Sequence, residues 1–170
     1  MQFQDYTDKQ INRWAHKATT DHDLLSLIKT NVIPYSDLKH VKKIEDILVN
    51  GSCIFLIENT MGNGIGHWVC ICLRKKDKTL SYFDSYGRKP DYYKQKDPIP
   101  EISRLMYYSP YKLEYQPYDF QSKGYATCGR HCIVRLIFKD RPLRDYIKFM
   151  KTFKGRDDEI VTLITGGIQH

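Results

Sequence analysis

No run of apolar residues in this 170-residue chain approaches the ~20 positions a bilayer-spanning helix requires, so no membrane span is expected. A secretory signal, with its basic start, apolar middle and small-residue cleavage site, is missing as well. Cysteines are few and odd in number: Cys53, Cys70, Cys72, Cys128 and Cys132. With no secretory context they do not read as a disulfide framework, and a reducing compartment fits them better. None of their spacings is that of a zinc site, so no metal is expected. Internal repeats, low-complexity segments and linkers are also missing. The expected organisation is one domain over residues 1–170, of a size that buries one ordinary core.

Acidic residues are the minority, 20 against 27 Lys and Arg, and the formal charge is +7. Basic residues gather at Lys39 to Lys43, Arg74 to Lys78, Arg88 to Lys96 and Lys148 to Arg156. That pattern permits a polyanion partner such as DNA, but it also describes ordinary solvated faces and hairpin tips. Thirteen tyrosines and seven phenylalanines, within 41% hydrophobic residues, supply the area for a packed interior.

Ile11, Trp14, Ala15 and Ala18 recur at helical spacing between Thr7 and about Thr20, and Leu24, Leu25, Leu27 and Ile28 follow after Asp21. After a turn at Pro34, Ser36-Asp-Leu is expected to cap a short helix holding Val41, Ile44, Ile47 and Leu48. Three apolar runs, Cys53 to Ile57, His67 to Leu73 and Leu80 to Phe83, read as successive strands separated by Gly-rich or Lys/Asp-rich turns. Cys70 and Cys72 then share one face of a strand, whereas Cys128 and Cys132 share a helix face. A short helix around Ile99 to Tyr107 and a strand through Leu113 and Tyr115 come next. Cys132, Ile133, Leu136 and Ile137 form an apolar stripe on a helix starting at Cys128, and helices over Leu143 to Phe153 and Asp157 to Ile164 complete the chain. Helices flanking a mainly antiparallel sheet make the class α+β.

Cys128 at the start of a helix has chemical meaning. The thiolate is the nucleophilic form of cysteine, and the partial positive charge of a helix N-terminus favours the anion. Gly129 removes a side chain where a substrate carbonyl would approach the backbone. Gln121, in the Gly-containing loop before Cys128, can donate an amide hydrogen to a developing oxyanion beside the Cys128 backbone N–H. A thiol nucleophile also needs an imidazole within reach and an acid to fix its tautomer. The short Arg74 to Thr79 turn joins two strands into a hairpin, placing His67 at the start of one beside Asp84 at the end of the other. His131 is the rival imidazole, but it is tied to Cys128 on the same helix and poorly placed for a separate acid.

Gly66-His-Trp68, Phe83-Asp-Ser-Tyr-Gly87 and Gln121-Ser-Lys-Gly-Tyr-Ala-Thr-Cys-Gly129 resemble the active-site blocks of the adenain family of viral maturation cysteine proteases, particularly those of virophages and Polinton transposons. The 17-residue interval from His67 to Asp84 and the 7-residue interval from Gln121 to Cys128 are similar to the adenain pattern. Proteases of ubiquitin-like proteins belong to the same superfamily, with a Gln-to-Cys interval usually one residue shorter. The resemblance covers about Ile54 to Phe138. It departs at Asp84, where adenain carries glutamate.

That resemblance implies a papain-like, adenain-like fold and a cysteine endopeptidase with Cys128, His67, Asp84 and Gln121 in the catalytic roles. Trp68 and Gly129 would bind substrate, Trp68 flanking a narrow cleft for small residues, commonly glycine. The competing reading of Trp68 is a core aromatic. Capsid or scaffold precursors are the implied substrates, cut after Gly-Gly-type sites by a monomer in the virion or the host cell's virus factory or cytoplasm. No cofactor is required, although DNA is an activator in adenain. The alternatives are a protease of ubiquitin or ubiquitin-like modifiers and an inactive basic nucleic-acid-binding or capsid-associated protein. The tail Leu163-Ile-Thr-Gly-Gly-Ile-Gln-His170 itself resembles the cleavage pattern at Gly166-Gly167, against the plainer reading of a Gly-rich helix stop.

Overall fold

The computed structural model describes residues 7–58, 66–153 and 155–166. Helix α1, Asp8–Ala15, and α2, Asp21–Leu27, each begin with a threonine capping box. Thr7 pairs with Gln10 and Thr20 with Asp23, satisfying helix-terminal N–H groups in both directions. The expected helix to about Thr20 stops at Ala15 because the second box holds Thr20 in an extended conformation.

Strand β1, Asn31–Pro34, leads into two 3-10 turns at Tyr35–His40 and Ile44–Ile47, where a single short helix was expected. Arg104 Nη2 accounts for the break: it donates to the carbonyls of Leu38 and Val41 at 3.0 Å each, taking acceptors that a continuous helix would use. Strands β2, Ser52–Ile57, β3, His67–Arg74, and β4, Thr79–Phe83, follow. Helix α3, Glu101–Tyr107, and strand β5, Lys112–Tyr115, precede α4, Cys128–Ile137, α5, Leu143–Lys151, and α6, Asp157–Thr165.

The sheet order is β1-β2-β3-β4-β5. The three central strands pair antiparallel, as the apolar runs suggested, and each edge strand joins in parallel. Both faces of this α+β sheet are covered. Trp68, Cys70 and Cys72 on one face of β3 pack with α2, α4, α5 and α6 through Leu24, Cys132, Ile133, Tyr146 and Val161. Val69 and Ile71 on the other face pack with the 3-10 turns and α3 through Leu38, Ile44, Ile102 and Leu105. Burial on both faces explains why β2 and β3 read as continuous apolar runs instead of alternating ones. Among the described residues, no helix is long and apolar enough to cross a membrane.

Candidate active site

The β3–β4 hairpin brings the imidazole and the acid together. Its register sets Cys70 opposite Phe83 and Ile71 opposite Tyr82. One further step sets Asp84 beside Val69, on the face that His67 shares, so the two residues are diagonal neighbours. His67 Nε2 lies 2.8 Å from Asp84 Oδ1, and both residues are almost fully buried. Asp84 is an acceptor on both oxygens: the Tyr86 N–H donates to Oδ1 at 2.8 Å and the Tyr93 hydroxyl to Oδ2 at 2.7 Å. Burial, reinforced by the Asp84 charge, raises the Tyr93 phenol and keeps it a donor. Tyr86 stacks on the His67 ring at 5.1 Å and Tyr93 meets it edge-on at 5.1 Å, so the ring plane is fixed as well.

Cys128 is the other side chain that acts on the His67 imidazole, raising its pKa from close by. Since Nε2 faces Asp84, Nδ1 is the nitrogen available to the sulfur. Burial is the largest influence on the imidazole and disfavours its charged form. The hydrogen bond to Asp84, the adjacent Cys128 side chain and the charges of both outweigh it and push the His67 pKa up to about 10. An imidazole so placed can accept the thiol proton and hold it as an imidazolium beside a thiolate.

Cys128 is the first residue of α4 and is half-buried, whereas the other four cysteines are buried. Burial raises the Cys53 and Cys132 thiols and pushes the Cys72 thiol up to about 11, so these remain protonated. Cys70 and Cys72 share the α4 face of β3, as their spacing predicts. Thr127, at the N-cap of α4, makes no side-chain capping bond to the helix.

Gln121 is buried with its amide orientation fixed. Its Nε2 donates to the Tyr125 carbonyl at 2.7 Å, and its Oε1 accepts from the Ser85 hydroxyl at 2.6 Å. A primary amide has two N–H groups, so the Tyr125 carbonyl takes only one of them. Ser85 also accepts the Phe120 N–H on its carbonyl at 2.7 Å. Gly87 closes the Asp84–Gly87 turn with φ +73°, and a Cβ there would lie 2.6 Å from the Tyr118 backbone.

Gly129 and Trp68 are placed differently from expectation. A Cβ on Gly129 would overlap Thr19 Oγ1 and approach Leu24 and Trp68 at 3.0 and 3.1 Å. Its missing side chain therefore permits close packing of the segment between α1 and α2. Trp68 is only 7% exposed, belongs to the core, and donates its indole N–H to the Thr19 carbonyl at 3.1 Å. The core-aromatic reading describes it as placed here.

His131 does have an acid, contrary to expectation: its Nε2 lies 3.0 Å from Asp158 Oδ1. It is nevertheless fully buried, and with Nε2 committed to a carboxylate and Nδ1 enclosed it offers no nitrogen to a substrate. Sequence reasoning assigned no role to Ser85, Tyr86, Tyr93 or Asp158. Ser85 and Tyr86 lie inside the quoted Asp-Ser-Tyr-Gly block, which was the signal available for them. Among the described residues, no three His, Cys, Asp or Glu side chains gather as a metal-holding group.

No protein-family profile matches the chain. A relative is the uncharacterized protein V9 of Sputnik virophage, 29% identical over 176 residues that cover 92% of this chain and 99% of that protein. Among solved structures, the SUMO protease Ulp1 with its catalytic cysteine oxidized to a sulfinic acid aligns with a TM-score of 0.42 and 14% identity, over 94% of this chain and 84% of that one. The central domain of the uncharacterized Lpg1148 protein from Legionella pneumophila aligns with a TM-score of 0.40 and 16% identity, over 88% of this chain and 95% of that one.

Proposed function

We propose that the chain is a cysteine endopeptidase that cleaves viral capsid or scaffold precursors after Gly-Gly-type sites during virion maturation. The observation that carries this reading is one imidazole hydrogen-bonded to a buried carboxylate and under the influence of a half-buried thiol at a helix start. In this reading His67 takes the Cys128 proton, and the thiolate attacks the scissile carbonyl carbon. The oxyanion that forms is met by the free Gln121 Nε2–H and the Cys128 backbone N–H. The His67 imidazolium protonates the leaving amine as the carbon–nitrogen bond breaks, leaving a thioester on Cys128. Water, deprotonated by His67, then hydrolyses the thioester and regenerates the thiol. Asp84 holds the Nε2–H tautomer throughout. None of these steps requires a metal.

The viral setting is supported by the virophage relative, and the substrate class by the motif resemblance. DNA, as an activator or as a track to packaged substrate, fits the +7 charge and the exposed Lys39, Lys42, Lys43, Lys75 and Lys76. Two members of the basic clusters contribute less, because Arg74 is paired with Asp77 and Glu114 and Arg156 with Glu159. The test incubates purified protein with virophage capsid precursors and maps new termini by mass spectrometry, with Cys128→Ala as control and a fluorogenic ubiquitin-like modifier substrate in parallel. New termini after Gly-Gly in the precursors alone support the proposal. Efficient cleavage of the modifier with intact precursors replaces it.

A further inference from the structure

We propose that Asp158 is a positioning residue for the oxyanion hole, clamping the loop that carries Gln121 onto the helix that carries Cys128. The inference rests on the reading of Cys128 as nucleophile and Gln121 as donor. Asp158 lies in the first turn of α6, thirty residues beyond Cys128 in sequence, and is 5% exposed. Its two oxygens receive three donors. Oδ2 takes the backbone N–H of Ser122 at 2.9 Å, the residue after Gln121. Oδ1 takes the Thr127 hydroxyl at 2.5 Å, the residue before Cys128, and His131 Nε2 at 3.0 Å, one turn into α4. One carboxylate thus holds both ends of the segment 122–127 and the helix that follows it.

The other ties of the segment run to the end of α1, where the Tyr125 ring lies 4.6 Å from that of His16. Ser122, Lys123 and Gly124 are exposed, Gly124 has φ +86°, and a Cβ there would meet nothing. Within the segment, the Tyr125 N–H reaches the Ser122 carbonyl only at 3.4 Å. Ala126 N–H donates at 2.9 Å to the Ala15 carbonyl, an anchor from outside the site. The Gln121 amide depends on the Tyr125 carbonyl for its orientation, so a shift of this loop moves the donor itself.

Thr127 supplies a second reason. A threonine N-cap ordinarily turns its hydroxyl back to accept an N–H of the first helical turn. Here the hydroxyl donates to Asp158 instead of capping α4, so the bond that ties Thr127 is the clamp and not the helix. A carboxylate is the group that suits three donors, since it accepts only. In Asp158→Asn one oxygen becomes an NH₂, so either Ser122 N–H or the Thr127 and His131 pair loses the acceptor it now has.

The test compares wild type, Asp158→Asn, Gln121→Ala and the double variant on a coumarin amide of Leu-Ile-Thr-Gly-Gly, alongside chloroacetamide alkylation of Cys128. Alkylation displaces chloride without forming an oxyanion, so it reports the thiolate–imidazolium pair alone. Asp158→Asn is expected to lower kcat by at least tenfold, up to the 10² to 10³ typical of losing one oxyanion donor. KM and the alkylation rate should stay within about twofold. In the double variant the losses should not multiply, because groups that act as a unit are non-additive.

Wild-type kcat in Asp158→Asn, a multiplicative double variant, or a parallel fall in alkylation would each overturn the inference. If circular dichroism shows that Asp158→Asn does not fold, the isosteric Thr127→Val decides. It removes one clamp donor and should lower kcat severalfold with alkylation unchanged, and an unchanged kcat refutes the clamp. Failure of the underlying reading looks different: wild type then cleaves neither this peptide nor the capsid precursors, or Cys128→Ala retains cleavage.

Discussion

Gln121→Ala is the sharpest perturbation of the proposed chemistry, because the structure fixes how many donors it removes. Nε2 has two N–H groups; one is held by the Tyr125 carbonyl at 2.7 Å, and the other is the single side-chain donor lost to the oxyanion. Removing one such donor costs on the order of 10² to 10³ in rate, or about 3 to 4 kcal/mol. The Cys128 backbone N–H remains, so the rate should not fall to background. The alanine also strands the Ser85 hydroxyl and the Tyr125 carbonyl, and a buried polar group left unpaired costs ~1 to 3 kcal/mol. Acylation should therefore be measured in single turnovers, well below a melting temperature determined for each variant. Gln121→Glu serves as an isosteric control. It can still accept from Ser85, but sets a carboxylate oxygen against the Tyr125 carbonyl and the developing oxyanion, and should be at least as slow. If Gln121→Ala acylates at the wild-type rate and only binds substrate more weakly, Gln121 is a docking residue and the oxyanion assignment is wrong.

Cys128→Ala should abolish cleavage and acid-pH labelling by iodoacetamide, while Cys132→Ala keeps most activity; peptide mapping that finds preferential labelling of any buried cysteine sinks the assignment. Because the folded His67 pKa, about 10, lies above the ordinary 6.5, its stabilisation is fully present below about pH 6.5 and lost as pH rises through about 10. The melting-temperature difference between wild type and His67→Gln should shrink across that window, and a difference that grows with pH contradicts the ion-pair picture. DNA binding, measured by fluorescence anisotropy, should fall steeply with salt and show little sequence preference, since phosphate contacts would dominate it. The tail should persist in fresh and aged enzyme: Gly166 ends α6 with φ +66°, and its carbonyl accepts from Arg130 Nη1 at 2.7 Å. Gly167 to His170 lie outside the described residues, so intact mass decides, with loss of three residues in active protein but not in Cys128→Ala showing self-trimming.

The parts legible in sequence are those that depend on local pattern. Apolar runs bounded by turn residues marked β2, β3 and β4, and their hairpin was enough to bring His67 toward Asp84. The stripe from Cys132 to Ile137 located α4 and put Cys128 at its start. Strand β1 escaped because it is four residues long and ends in Pro34, with no period to read. The split of the 3-10 turns escaped because its cause, Arg104, arrives from about sixty residues away. The same distance effect hid the acid of His131: Asp158 lies 27 residues on, where the acidic first turn of α6 reads as nothing more than a helix start. The packing role of Gly129 escaped for the same reason: Thr19, whose hydroxyl a Cβ there would overlap, lies far away in sequence.

Two consecutive residues at the end of β4 couple the two halves of this site. The Asp84 side chain fixes the imidazole, and its carbonyl accepts from Gln116 Nε2 at 2.8 Å and the Gly87 N–H at 2.8 Å. Ser85 meanwhile holds the Gln121 amide through its hydroxyl and the Phe120 N–H through its carbonyl. The strand end therefore sets the His67 imidazole and the Gln121 amide in one frame, while Asp158 ties the loop after Gln121 to the helix that starts at Cys128. Neither connection touches the sulfur. The geometry can thus be specified from behind, by buried groups, while Cys128 itself is half-buried. Groups locked by buried partners of this kind are held to the tight geometry that reactive side chains require.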